Sequence, residues 1–240
     1  MTNVSVIIPV KNEAENIRSL IDGIIAAMQP RGDFDVIVVN DGSTDNSSDV
    51  LKEAMKDYEN LSLIEHAASA GQSAAVHSGV LAAKSPLIAT LDGDGQNPPE
   101  NLPMLLAPLL DENAHSQLGL VAGQRIGRQD RFSKKLASKL ANGLRGFLLQ
   151  DGTRDTGCGL KAFRREAFLQ LPYFNHMHRY LPALFNAYGW TVVHVDVSHA
   201  ARVAGRSNYS NLQRALVGVV DLLGVMWLIR RAKRAKVIKK

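Results

Sequence analysis

The first part of the chain alternates between two patterns of apolar and polar positions. Short, β-branched apolar runs predict buried strands, and longer segments with apolar residues three or four apart predict amphipathic helices. The predicted strands are Val4–Pro9, Asp35–Asn40, Leu61–Glu65, Leu87–Leu91, Leu118–Ala122 and Trp190–Val197. The predicted helices are Asn12–Met28, a segment from just after Asp41 to about Asp57, Gly71–Ala83, Pro99–Leu110 and Phe132–Leu149. Strands that alternate with helices of this length predict an α/β sandwich with a mostly parallel central sheet.

Three of the predicted strands end in polar residues. These ends are Pro9–Glu13, Asn40–Ser43 and Asp92–Asp94. In open α/β sheets ligands bind outside the carboxyl ends of the strands, so the three ends are expected to form a site on one rim. For Asp41 the alternative to ligand contact is a helix N-cap, the role expected here of Ser43 or Thr44.

The segment Leu87–Glu100 is the strongest candidate for chemistry. Its apolar run ends in Asp92, Asp94 and Gln96, with glycines between them. Side chains two apart on an extended segment point the same way, so these three would present a row of oxygens. Oxygen ligands suit Mg²⁺ or Mn²⁺. The segment therefore predicts a site for a metal-bound diphosphate, against the alternative of an Asx-rich turn that begins the next helix.

A basic segment follows the fifth predicted strand. It carries Arg125, Arg128, Arg131, Lys134 and Lys135. Guanidinium forks suit phosphate oxygens, so this segment could meet an anionic acceptor, and the alternative is a solvated charged loop.

Residues 155–165 are interpreted as a tight turn that enters a helix. Within it Cys158 is expected to be a packed small residue rather than a nucleophile. As the chain's single cysteine it excludes an internal disulfide, which fits a reducing cytosol. The N-terminus runs directly into a strand, so no signal peptide is expected.

Charge is distributed unevenly along the 240 residues. The net charge is +5, but the last eleven residues hold seven Lys or Arg and no acid, which leaves 21 basic and 23 acidic residues in the rest. A nucleic-acid-binding protein would carry its positive charge on a folded face, so nucleic acid is not expected as a partner.

The C-terminal segment Leu212–Ile229 is largely apolar but is interrupted by Arg214 and Asp221. Its uninterrupted apolar run is much shorter than the roughly 20 residues of a spanning helix. With Trp227 and the basic tail, the segment predicts an amphipathic helix on an anionic membrane surface. The alternative is a helix that docks on the domain or forms a contact between copies in a homo-oligomer.

The polar strand ends resemble the family 2 glycosyltransferases of GT-A fold. The motifs are Ser5–Glu13, Val39–Asp45 and Leu91–Glu100. Three later motifs are similar to the polyprenyl-phosphate branch, the dolichyl-phosphate mannose and glucose synthases and their bacterial relatives: Gly123–Arg125, Asp155–Lys161 and Arg202–Tyr209. The resemblance covers about residues 4–210. It implies a Rossmann-like α/β/α catalytic domain over 1–210, followed by a membrane-interface segment over 211–240.

The resemblance also implies roles for individual residues. Those that would bind the nucleoside-diphosphate sugar are Pro9, Lys11, Glu13, Asp41, Asp92, Asp94, Arg202 and Ser207. Asp94 and Gln96 would ligate Mg²⁺ or Mn²⁺, and Arg125 with Arg131 would receive the acceptor phosphate. Cys158 and Lys161 stand where the mannose synthases have Ser and Arg, so the motif leaves the sugar open.

The implied activity is inverting transfer of a hexose from a GDP- or UDP-sugar to a polyprenyl phosphate, at the cytoplasmic face of a membrane. A phosphate acceptor is already ionised near neutral pH and needs no general base. The nearest alternative is transfer to a saccharide or lipid hydroxyl, which would need a base such as Asp151 or Asp155. A further alternative is a non-catalytic, membrane-associated protein that binds nucleotide sugars.

Overall fold

A computed structural model describes residues 3–126, 145–146, 148–149, 151–155, 157–200 and 211–232. These residues form one seven-stranded sheet in the order β3-β2-β1-β4-β6-β5-β7. The strands are β1 Val4–Val10, β2 Phe34–Asn40, β3 Leu61–Glu65, β4 Leu87–Thr90, β5 Leu118–Arg125, β6 Lys161–Arg164 and β7 Thr191–Val197. Only β6 runs antiparallel to its neighbours in this sheet, so the prediction of a mostly parallel α/β fold is confirmed.

The helices of the described residues lie on both faces of the sheet. They are α1 Ile17–Met28, α2 Ser47–Asp57, α3 Gln72–Ala82, α4 Leu102–Leu110, α5 Arg165–Leu169, α6 Leu181–Ala187 and α7 Asn211–Arg231. Short 3₁₀ turns occur at Gln29–Arg31, Pro99–Asn101 and Met177–Arg179.

Side chains of successive residues in the central strands pack into two separate cores, one on each face of the sheet. In β1, Val6 and Ile8 pack with α1, α2 and α4, whereas Ile7 packs on the other side with α3, α5 and α6. Because both faces of the sheet are buried, the strands read as nearly continuous apolar runs.

Helix α1 begins five residues later than predicted because the chain first forms a loop contact. Asn12 has a left-handed φ of +57°. Its backbone N–H donates to Ser43 Oγ at 2.9 Å, and its Oδ1 accepts from the backbone N–H of Thr44 at 2.7 Å. These bonds connect the loops that follow β1 and β2. The residues just after Asn12 therefore belong to the loop at the carboxyl edge of the sheet, and the helix starts only after them.

The start of α2 was assigned to the wrong residues. Neither Ser43 nor Thr44 caps this helix. Asp45 accepts from both the backbone N–H of Ser47, at 3.0 Å, and the Ser47 hydroxyl, at 2.6 Å. Asp45 therefore provides the hydrogen-bond acceptor for the N–H and hydroxyl groups of Ser47 in the first turn of α2.

Strand β6 was missed by the sequence analysis. Lys161–Arg164 lies between β4 and β5 and pairs antiparallel with both, and α5 begins only at Arg165. A four-residue segment is too short to show a periodicity, and its pairing partners are distant in the sequence. The interpretation of residues 155–165 as a turn entering a helix was therefore wrong for these four residues.

Helix α7 packs on the domain through one face. Val225 is buried in the core of α3, α5 and α6. Asp221 Oδ2 lies 2.8 Å from His176 Nδ1, and the Tyr180 hydroxyl donates to the Gly218 carbonyl oxygen at 3.3 Å. The opposite face is apolar and exposed, with Val220 at 69% and Trp227 at 62% accessibility.

Within the described residues, no helix combines the length and apolar character needed to cross a membrane. Of the predicted helix Phe132–Leu149, residues 145, 146, 148 and 149 are helical and the part before 145 lies outside the described residues.

Candidate active site

The carboxyl ends of β1, β2 and β4 lie side by side and surround a cleft of about 540 Å³. The cleft lies beside β1, where the strand order reverses: β1 is followed by β2 on one side, whereas the chain returns from β3 to form β4 on the other side. Such a switch point is the usual ligand position in open α/β sheets. The cleft brings together six predicted residues: Pro9, Lys11, Glu13, Asp41, Asp92 and Asp94. Arg131, Arg202 and Ser207 lie outside the described residues.

Asp41 is a buried carboxylate that holds one wall of the cleft. It accepts hydrogen bonds from the Ser69 hydroxyl at 2.6 Å and from the backbone N–H groups of Ala70 and Gly71 at 2.8 Å each. His66 Nδ1 lies 2.8 Å from its Oδ1. Burial by itself would raise the pKa of Asp41, but these hydrogen bonds together lower it to about 2. Asp41 therefore stays ionised and shapes the loop over the cleft.

Asp92 lies at the inner end of the cleft and is held from two sides. Gln72 Nε2 donates to Oδ1 at 2.7 Å, and Asn97 Nδ2 donates to Oδ2 at 3.3 Å. Burial and then the charge of Asp94 raise the pKa of Asp92, and Lys161 opposes this rise. A methyl group on Gly159 would lie 2.4 Å from the Asp92 carboxylate, so glycine is required there.

The motif Asp92–Gln96 is a turn rather than the predicted extended row. Strand β4 ends at Thr90, residues 93–94 form a turn, and Gly95 has a left-handed φ of +70°. Asp94 Oδ1 accepts from the backbone N–H of Gln96 at 3.2 Å. Asp92 and Asp94 line the cleft, and Gln96 follows Asp94 by two residues at the end of the same turn.

The donor set suits a cation that is shared with a substrate. Among the described residues, no cluster of three or more His, Cys, Asp or Glu could hold a metal alone. Mg²⁺ is commonly bound by one or two carboxylates and completed by waters and substrate phosphates. A carboxylate from Asp94 and an amide oxygen from Gln96 fit that mode of binding.

Arg125, the predicted phosphate ligand, forms a two-point ion pair. It ends β5, and its Nε and Nη2 donate to the two carboxylate oxygens of Asp155 at 2.5 and 2.8 Å. Both side chains are largely buried, with accessibilities of 12% and 14%. Burial would raise the pKa of Asp155, but the bonds and the charge of Arg125 lower it below its ordinary value.

Asp151, the other carboxylate considered as a base, is also bound by an arginine. Arg145 Nη1 and Nη2 donate to its two oxygens at 3.1 and 2.5 Å, and the Thr153 backbone N–H donates at 3.1 Å. Its side chain is buried. In both carboxylates each oxygen already accepts a hydrogen bond from an arginine, whereas a general base needs an oxygen within reach of the acceptor hydroxyl.

A second cavity, which we call the inner chamber, continues beyond Asp92. It measures about 160 Å³ and shares Pro9, Gln72 and Asp92 with the cleft. Lys161 and His178 also line it, and these two and Gln72 were not among the predicted site residues. Lys161 comes from β6, His178 from the 3₁₀ turn Met177–Arg179 and Gln72 from the start of α3. No single sequence motif spans these three residues.

Lys161 and Cys158 form part of the wall of the inner chamber. Lys161 Nζ donates to the Cys158 carbonyl oxygen, and burial lowers the pKa of this lysine. Cys158 is buried, and burial raises the pKa of its thiol. Both observations agree with the prediction that Cys158 is a packed residue and not a nucleophile.

Relatives of the chain act on undecaprenyl phosphate according to their names. An undecaprenyl-phosphate 4-deoxy-4-formamido-L-arabinose transferase from Pectobacterium carotovorum subsp. carotovorum (strain PC1) is 36% identical over 213 residues, 88% of this chain and 64% of that protein. The transferase of that name from Proteus mirabilis (strain HI4320) is 34% identical over 216 residues, 89% of this chain and 64% of its own. The chain thus spans slightly less than two thirds of these relatives.

Solved structures agree on the fold. A Pyrobaculum calidifontis mannosyltransferase, in complex with GDP-Man and Mn²⁺, has a TM-score of 0.70 at 21% identity, covering 97% of this chain and 66% of that chain. Glucosyl-3-phosphoglycerate synthase from Mycobacterium tuberculosis has a TM-score of 0.68 at 18% identity, covering 95% and 80%. These neighbours confirm the GT-A fold. The family model described as "Glycosyl transferase family 2" matches residues 5–171, and with the sheet and cleft above the chain belongs to that family.

Proposed function

We propose that this protein transfers a sugar from a nucleoside-diphosphate sugar to a polyprenyl phosphate, with Mg²⁺ or Mn²⁺. The observation that carries the choice of acceptor is the state of Asp151 and Asp155. Each of these carboxylates is bound at two points by an arginine. An acceptor that arrives already ionised does not need either of them as a base. The names of the relatives support the same acceptor class.

The donor occupies the cleft in this proposal. Pro9, Lys11, Glu13 and the loop held by Asp41 surround the nucleoside, because they line the part of the cleft next to the ends of β1 and β2. The diphosphate lies at Asp94, where Lys11 supplies a positive charge to the same cavity.

Asp94 and Gln96 would hold the divalent cation together with the donor diphosphate. The bound cation would stabilise the charge that develops on the leaving diphosphate. Asp92, held by Gln72 and Asn97, keeps the inner end of the cleft in one shape. The two neighbours solved with GDP-Man or UDP also contain Mn²⁺, which supports a cation of this kind.

The reaction would be a single displacement at the anomeric carbon, with inversion. The acceptor phosphate oxygen attacks as the bond to the diphosphate breaks, and no proton needs to be removed. Arg125 at the end of β5 contributes positive charge on the acceptor side while Asp155 fixes its guanidinium plane. Holding both reactants in this geometry supplies a large part of the rate acceleration.

The acceptor is tested with a matched pair of lipids. The protein is incubated with Mg²⁺ or Mn²⁺ and a panel of UDP- and GDP-hexoses, together with the nucleoside-diphosphate form of 4-deoxy-4-formamido-L-arabinose. Each donor is combined with undecaprenyl phosphate or with undecaprenol. We expect a sugar-lipid product only with the phosphate. Comparable transfer to undecaprenol would favour the hydroxyl-acceptor alternative and refute the proposal.

The role of Asp94 is tested by Asp94→Ala, with Asp111→Ala as the control. Asp111 is exposed and follows α4, away from the cleft. We expect Asp94→Ala to abolish transfer while the melting temperature stays close to that of the wild type. Undiminished turnover would remove the metal role of Asp94.

We also propose that the exposed face of α7 lies against an anionic membrane surface. Val219, Val220, Leu223 and Trp227 form an exposed apolar stripe on this helix, and Arg230 and Arg231 occupy its last turn. Apolar side chains inserted at the interface and basic residues near anionic headgroups reinforce each other. Docking of α7 on the domain uses the opposite face and is compatible with this role.

The membrane role is tested by vesicle sedimentation. Removal of residues 231–240 should weaken binding to vesicles that contain phosphatidylglycerol, with a larger effect at low salt because the charges are then less screened. Trp227→Ser should weaken binding at every salt concentration, because it removes apolar contact. Unchanged partitioning of both variants would contradict the proposal.

A further inference from the structure

The inner chamber has the size and the composition of a sugar site. Its 160 Å³ would hold about five waters at roughly 30 Å³ each, so a single sugar ring could displace them. The chamber opens from the cleft at Asp92, beside the position of the donor diphosphate at Asp94. The group attached to that diphosphate is therefore the part of the donor that would enter it.

The wall of the inner chamber offers both acceptors and donors to the hydroxyl groups of a sugar. It contains the Asp92 carboxylate, the Gln72 amide and the Thr90 hydroxyl, with Val76 and Leu181 as apolar surface. Lys161 and Arg179 also line the chamber, and Lys161 Nζ already donates to the Cys158 carbonyl oxygen. Sugar hydroxyls can both donate to a carboxylate and accept from an amide.

His178 enters this wall with a defined orientation. Its Nδ1 lies 2.7 Å from Ser73 Oγ, and its own backbone N–H donates to the same oxygen at 3.3 Å. Ser73 is buried, and within the described residues its hydroxyl proton has no other acceptor than Nδ1. Because a buried hydroxyl proton needs an acceptor, the hydroxyl donates to Nδ1 and the imidazole proton lies on Nε2. Within the described part of the chain no hydrogen bond reaches Nε2.

His178 is also kept neutral. Burial lowers the pKa of His178 well below its usual range, and the charges of Lys161, Arg179 and His176 act in the same direction. At neutral pH the side chain is therefore an uncharged hydrogen-bond donor at Nε2.

We propose that His178 is a specificity-determining residue that positions the donor sugar by donating a hydrogen bond from Nε2 to a sugar oxygen. This inference rests on the proposed function, since it takes a nucleotide sugar as the ligand. His178 lies beyond residues 5–171, the part that matches the family model. Its turn is joined to α7 by the contact between His176 and Asp221. Recognition of the sugar would thus depend on a segment outside the matched region.

The test compares the affinity for a nucleotide sugar with the affinity for the corresponding nucleoside diphosphate, both measured by calorimetry with Mn²⁺. The nucleotide sugar is the panel member that wild-type protein binds most tightly. The variants are His178→Phe, which keeps a ring without a donor, and His178→Gln, whose amide can place an N–H near Nε2. The control is His77→Phe, because the His77 ring contacts Tyr173 in a tilted arrangement and does not line the inner chamber.

We expect His178→Phe to weaken binding of the nucleotide sugar roughly three- to tenfold, the effect of one lost hydrogen bond, and to leave the nucleoside diphosphate unaffected. His178→Gln should recover part of that loss, and His77→Phe should change neither affinity. Thermal melting of each variant verifies that it is folded. If His178→Phe does not fold, the test uses His178→Gln and Ser73→Ala instead. Ser73→Ala removes the hydrogen bond that orients the His178 ring. Both should then show the selective loss to a smaller extent.

Three results would overturn the inference. They are equal affinities of wild type and His178→Phe for the nucleotide sugar, a parallel loss for both ligands, and a raised KM for polyprenyl phosphate with unchanged donor affinity. Failure of the proposed function gives a different result. Wild-type protein would then bind the nucleotide sugar without transferring it to the polyprenyl phosphate, and the affinity ratios could still be measured.

Discussion

The buried carboxylate of Asp41 should make the stability of the protein depend on pH in the acid range. Its pKa is lowered from an ordinary value of 3.8 to about 2 by hydrogen bonds from Ser69, Ala70, His66 and Gly71, which outweigh the effect of burial. At about 1.4 kcal/mol per pH unit, this difference corresponds to about 2 kcal/mol of folding free energy. That stabilisation is present above pH 4, where the unfolded carboxyl is also ionised.

The stabilisation by Asp41 decreases at low pH because the folded and unfolded chains are protonated at different pH values. As the pH falls from about 4 to about 2, the unfolded chain takes up a proton at residue 41 before the folded chain does. The stabilisation is therefore lost across this window. Asp41→Asn removes the titration at this position, and its amide NH₂ also faces N–H donors, which adds a cost that does not depend on pH.

The assay is urea unfolding of wild type and Asp41→Asn at several pH values between 2 and 7. We expect the difference in unfolding free energy to be larger at pH 7 than at pH 2 by about 2 kcal/mol. Asp33→Asn, at an exposed position before β2, serves as the control and should show a small and constant difference. A difference between wild type and Asp41→Asn that is the same at every pH would refute the reasoning.

Three further variants test other contacts of the structure. Gly159→Ala places a methyl group 2.4 Å from the Asp92 carboxylate, so calorimetry should show a large loss of nucleotide affinity, and unchanged affinity would contradict the described packing. Asp155→Ala leaves the buried Arg125 guanidinium without its partner, and denaturant unfolding should show a loss of about 3 kcal/mol or more; a loss below 1 kcal/mol would contradict the buried pair. Gly224→Ala lies in α7 with open space around the added methyl, so the protein should gain about 0.5 to 1 kcal/mol of stability, whereas a loss would show that this position is covered.

Most of the fold was predictable because parallel strands buried on both faces leave a strong local signal. Val4–Val10 and Phe34–Asn40 are nearly continuous apolar runs, and polar residues at and after their ends lie on the predicted rim. The boundaries were less predictable. The delayed start of α1 depends on hydrogen bonds between Asn12 and the loop after β2, which involve residues about 30 positions away.

The sequence by itself determined the α/β class, the three polar strand ends and the family, because these depend on local periodicity and short motifs. The tertiary structure alone decided how the side chains of the site are used. Asp151 and Asp155 are indistinguishable from free carboxylates in the sequence, and only the fold places Arg145 and Arg125 against them. The same holds for His178, whose partner Ser73 lies 105 residues earlier. The contacts of Asp155 and His178 are set by the pairing of distant segments, for which a single sequence carries no local pattern.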